Sequence, residues 1–111
     1  LTPASAKAKG RRFQQKIAKA LHKAFDLEPD DIQSRSMGAG GEDLMLSPAA
    51  RRKIPFSFEC KKHRKFSIYN AYNQAKANCG RHTPVLVIEA DRAKPLVVLS
   101  FEDFIRLIKG E

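Results

Sequence analysis

Apolar residues recur along this chain with two periods, one helical and one strand-like. From Gly10 onward, Phe13, Ile17, Ala20, Leu21 and Ala24 fall at helical spacing, while Arg12, Lys16, Lys19 and Lys23 form a second stripe. The spacing predicts an amphipathic helix with a basic outer face. Residues 1–9 mix Ala, Lys, Ser and Pro without an apolar period and are expected to form a basic lead-in without regular structure. Pro29 and its acidic neighbours break the helix, and 32–36 reads as a short strand. A Gly-rich turn, Gly38-Ala39-Gly40-Gly41, leads to a strand over 43–46. Residues 47–54 read as a turn carrying three consecutive cations, and 56–61 alternates as a strand, so these last two strands are expected to pair as a hairpin. Ile68, Ala71, Tyr72, Ala75 and Cys79 predict a second helix closed by Gly80. The runs 85–88 and 96–99 predict two buried strands. Ser100 caps a last helix with Phe101, Phe104, Ile105 and Ile108 expected on its buried side. The order αβββαββα gives one α/β domain over 10–111, a mixed sheet flanked by helices.

Composition narrows the class. With 111 residues and 42% hydrophobic content, the chain can bury a core, unlike a disordered basic tail. No apolar run approaches the roughly 18–20 residues that cross a bilayer, and the first residues lack a secretory stretch, so no membrane partner and an intracellular setting are expected. Two cysteines are too few for a disulfide framework. Lys and Arg number 21 against 12 acids, a formal charge of +9, which points to a polyanionic partner.

The candidate chemistry lies on the strand at 56–61. Alternation sends Phe56, Phe58 and Cys60 to the core face and Ser57, Glu59 and Lys61 to the opposite one. Asp43, on the preceding strand, can reach the same place. Two carboxylates can hold a hard divalent cation, for which Mg²⁺ (or Mn²⁺) is the expected choice. Such an ion polarises a phosphoryl oxygen and acidifies a bound water, and Lys61 can orient that water or stabilise developing charge.

Four segments sharpen this reading: Gly10-Arg11-Arg12-Phe13-Gln14, Gly40-Gly41-Glu42-Asp43-Leu44, Phe58-Glu59-Cys60-Lys61 and Tyr72-Asn73-Gln74-Ala75. Over roughly residues 10–108 they resemble the PD-(D/E)XK nuclease superfamily, and within it the small resolvase-like enzymes of archaea and phages. The resemblance implies a restriction-endonuclease-like α/β domain. It implies Asp43 and Glu59 as metal ligands, the Cys60 carbonyl as a third, Lys61 as the catalytic lysine and Gln74 as a residue lining the site. Glu42 replaces the motif's proline. Gln14 stands where many of these enzymes place a glutamate, and a neutral amide binds a cation far less strongly, which puts a second metal in doubt. Ser36 is a further candidate lining residue.

Cys60-X2-His63 and Cys79-X2-His82 have the spacing of a zinc site, but the strand alternation turns Cys60 inward while His63 lies nearer Glu59 and Lys61. Basic residues gather around the site: Arg51, Arg52, Lys53, Lys62, Arg64 and Lys65, with Arg35, Arg12 and His63 as further contacts to nucleic acid. They offset the repulsion between two carboxylates and a phosphate backbone. No base-reading motif is present, so recognition by backbone and shape is expected. Tyr72 is expected in the core, and Tyr69 is a candidate for base stacking. The sequence thus predicts a metal-dependent DNA endonuclease acting on branched or single-stranded structures. A resolvase would pair as a homodimer to make two cuts, and a monomer acting on flaps, splayed arms or single strands is the alternative. The rival from another class is a non-catalytic DNA-binding module of the same fold.

Overall fold

The structure is a computed structural model that describes residues 2–36, 40–62 and 67–111. Its first helix, α1 (Pro3–Phe25), begins where the sequence reading expected no regular structure. Thr2 is the reason: its hydroxyl accepts the Ser5 N–H at 3.0 Å, and Pro3 needs no intrahelical donor partner in the first turn. Residues 3–9 are therefore a helical extension of α1 and not part of the irregular lead-in expected. Asp26, in the left-handed region at φ 52°, ends the helix. A 3-10 turn at Pro29–Asp31 leads into β1 (Ile32–Ser34), which pairs antiparallel with β2 (Leu44–Leu46).

The hairpin is thus β1–β2, not the pairing expected for the strands at 43–46 and 56–61. Those two are separated by a short helix, α2 (Pro48–Lys53), where a turn was expected. Ser47 caps it, accepting from the Ala50 N–H at 3.1 Å and donating to the Asp31 carboxylate at 2.6 Å. That bond holds the Asp31 carboxyl below its usual range.

The strand β3 (Phe56–Lys62) runs parallel to β4 (Thr83–Glu89), and α3 (Ile68–Ala77) makes the crossover between them. An antiparallel β5 (Leu96–Val98) closes the three-stranded mixed sheet in the order β3-β4-β5. Phe58, Cys60, Val85 and Val87 face α1 and pack with Phe13 and Ile17. Leu86 and Ile88 face the other way, against Ala75 of α3. Glu59 is therefore on a face that is itself covered, rather than on an open one, because α3 lies over it.

Two expectations of burial fail at the C-terminal end. Leu96 and Val97 are exposed, since β5 is an edge strand. The last helix, α4 (Phe101–Lys109), is capped by Ser100 as expected, but none of its residues is buried. Among the described residues, no helix is long and apolar enough to cross a membrane.

Candidate active site

Asp43 is fastened to β3 at two points, and both bonds use main chain. Its own N–H donates to the Phe58 carbonyl at 2.9 Å, and its Oδ2 accepts the Cys60 N–H at 2.8 Å. The turn before it depends on Gly41, at φ 96°, where a Cβ would sit 3.3 Å from the Arg35 guanidinium carbon. Arg35 lies across that turn and donates from Nε to the Glu42 carbonyl at 2.6 Å. Glu42, in place of the motif's proline, pairs with Arg51, which also donates to the Phe56 carbonyl. The loop that delivers Asp43 is thus tied to α2 and to the start of β3.

Glu59 and Lys61 share one side of β3, as strand alternation requires. Glu59 is only 2% exposed, and its Oε2 lies 3.4 Å from Lys61 Nζ. Its other oxygen, Oε1, is buried with no hydrogen-bond partner among the described residues. Burial raises the pKa of Asp43, against the pull of the Cys60 N–H and the Lys61 ammonium. Burial raises Glu59 too, and the neighbouring charge of Asp43 adds to the rise. The Cys60 thiol is pushed far above its ordinary range by burial first and then by both carboxylates.

These groups open into a cleft of about 460 Å³ between α1, β3 and α3. Asp43, Glu59, Cys60 and Lys61 form its floor, with Gln14 from α1 on one wall and Gln74 from α3 on another. Gln14 is 4% exposed and accepts the Ser34 hydroxyl at 2.5 Å. Ser36, Gly40 and Gly41 line the same cleft. Ala77 and Asn78 line it as well and escaped the sequence reading. Asn78 follows Gln74 by four residues, one helical turn, and that spacing is the signal that would have found it.

A hard divalent cation suits this donor set. A half-buried carboxylate, Asp43, and a buried one, Glu59, both of raised pKa, face one cleft, and one Glu59 oxygen lacks a donor among the described residues. An extended residue sends its N–H and C=O off the same edge, so the Cys60 carbonyl leaves β3 on the Asp43 side while the thiol packs in the core. Among the described residues, no three His, Cys, Asp or Glu side chains converge, so a cation here would complete its shell from amide, main-chain and water oxygens.

The predicted contacts to nucleic acid separate into groups. Arg12 and Lys62 flank a second groove of about 360 Å³ with Lys9 and Lys16. There Glu89, which the sequence reading missed, pairs with Lys62 and, at 2.6 Å, with Lys16. Its signal was an acid ending the apolar run of β4 directly across from Lys62. Arg52 and Lys53 are exposed on α2, with Lys53 Nζ donating to the Phe25 carbonyl at 3.2 Å. Arg35 and Arg51 are engaged within the protein, as described. His63, Arg64 and Lys65 lie outside the described residues. Among the described residues of the two Cys/His pairs, Cys60 is in the core, whereas Cys79 and His82 line another cleft of about 640 Å³. Tyr72 packs on the α3 side of the sheet, and Tyr69 is exposed.

No curated protein and no solved structure matches this chain. A family model described as "Phage putative PDDEXK endonuclease" matches residues 5–110, which include every residue of the cleft. The chain therefore belongs to this phage PDDEXK endonuclease family, in agreement with the α/β fold and the resemblance carried by its motifs.

Proposed function

We propose that the protein is a divalent-metal-dependent DNA endonuclease that hydrolyses phosphodiester bonds in branched or single-stranded DNA with little sequence preference. The observation that carries this reading is the meeting, in one cleft, of the buried Glu59, the half-buried Asp43 and Lys61, with a Glu59 oxygen left without a partner among the described residues. A bound Mg²⁺ or Mn²⁺ would supply charge to a phosphoryl oxygen and acidify a water. Asp43 and Glu59 are the residues to hold it, with the Cys60 carbonyl beside them. Lys61, beside Glu59 in the cleft, orients the attacking water and offsets the negative charge that grows on the phosphoryl group. Gln14 and Gln74 present amides to the same space and orient water or phosphate.

Arg12, Arg52, Lys53 and Lys62, with His63, Arg64 and Lys65, would draw in the DNA backbone and offset the acids. Arg35 and Arg51 act on the loop carrying Asp43. Selection of branched or unpaired DNA rests on the absence of a base-reading motif in so small a domain.

The test is cleavage of labelled junction, flap, single-stranded and duplex DNA by wild type, Asp43→Ala and Lys61→Ala, with Mg²⁺, Mn²⁺ or chelator. Metal-dependent cutting that falls by at least about 100-fold in both variants is the expected result. Binding without cutting in every condition would replace this reading with a non-catalytic DNA-binding module, for which the amide at Gln14 would then be the reason.

A further inference from the structure

The largest mismatch between sequence and structure is α4. Its Phe101, Phe104, Ile105 and Ile108 form one stripe by helical spacing, yet Phe101 is 77% and Ile108 69% exposed. Nine residues is also shorter than the roughly 12–15 at which an isolated helix becomes marginally stable. In the chain, the edge strand β5 ends three residues before Phe101, and there Leu96 and Val97 are also more than half exposed. With large side chains presenting roughly 150–250 Å² each when free, these six offer roughly 600 Å². That is at the upper end of patches on monomers, about 300–600 Å², and near the ~800 Å² per partner of a stable interface once a polar rim is added.

Charge selects the occupant. The chain carries +9, but residues 96–111 hold Glu102, Asp103 and Glu111 against only Arg106 and Lys109. Unlike the chain as a whole, this end is therefore close to neutral, and neither attracts a polyanion nor repels a second copy. The helix is also self-complementary, with acids in its first turn and cations in its last. Two such helices packed antiparallel about Ile105 set Glu102 of each level with Ile108 and Lys109 of the other. We infer that the α4 stripe, with the adjoining β5 edge, is a two-fold interface joining two copies of this chain. A two-fold axis buries the same residues on both copies, which suits a patch whose charges already match under that rotation. The inference does not rest on the nuclease reading, because it concerns a surface away from the cleft.

Sedimentation equilibrium over a micromolar concentration series tests it, with Ile108→Glu, Glu102→Lys, Lys109→Glu and the Glu102→Lys/Lys109→Glu double variant beside wild type. A wild-type dimer is expected, weakened on the order of 10- to 100-fold by Ile108→Glu with an unchanged far-ultraviolet spectrum. Each charge reversal should weaken the dimer and the double reversal restore it, which only antiparallel self-pairing predicts. A wild-type chain that stays monomeric throughout the series, as it would if another protein or a membrane covered α4, overturns the inference. So does a dimer that all four variants leave intact. Because the readout is mass, a failed nuclease assay leaves this result standing, and the reverse also holds.

Discussion

Glu59 and Asp43 lose water on burial and face each other's charge, so the protein carries repulsion at its own cleft. Neutralising one acid removes that repulsion. Glu59→Gln should raise the melting temperature of the metal-free protein at neutral pH by a few °C. Adding Mg²⁺ should then raise the wild type and leave the variant almost unmoved, as calorimetry would register. Glu89 is the opposite case. Hydrogen bonds from Lys16 and then Lys62 lower its pKa from an ordinary value of 4.5, so its folded form holds the charge more readily than the unfolded chain. The stability it adds is present above that value and is lost as pH falls through the lowered folded pKa. Thermal melts of Glu89→Gln should lie below wild type at pH 7, with the gap closing in acid below about pH 4.

At the scale of elements, α2 shows how a six-residue helix can hold a loop in place. Ser47 both caps it and binds Asp31, so Ser47→Ala should cost about 1 kcal/mol or more in urea unfolding and loosen the junction between β1 and α2. The sequence pattern missed this helix because a Ser-Pro start followed by three cations looks like a turn when apolar period is the guide. Thr2 and Pro3 hid the start of α1 for the same reason: a cap is a chemical signal, not a periodic one. By contrast, β3 was legible residue by residue, since alternation alone separates Glu59 and Lys61 from Phe58 and Cys60. The cleft was legible where a side chain follows from strand or helix spacing, as at Glu59, Lys61 and Gln74. Asn78 was overlooked because its one-turn spacing from Gln74 runs past the last helical residue, and Glu89 of the second groove because its partners come from two other elements.

For the whole molecule, the apolar runs at β5 and α4 carry a general lesson: periodicity reports that a face seeks cover, and not whether this chain supplies it. Joined through α4, two copies would present two clefts to one DNA. Junction cleavage by the dimer would then fall with dilution, whereas cutting of single strands would not, and a dilution series comparing the two substrates measures this. The two cysteines add a different use. Cys60 is buried in the main core with its thiolate suppressed, while Cys79 is half-exposed at the end of α3, its Sγ 3.0 Å from the Lys76 carbonyl. An alkylating reagent should therefore mark Cys79 at once and Cys60 only when the sheet parts from α1. The pair makes the protein its own clock, in which the delay between two mass additions reads the opening rate of the core without any introduced label.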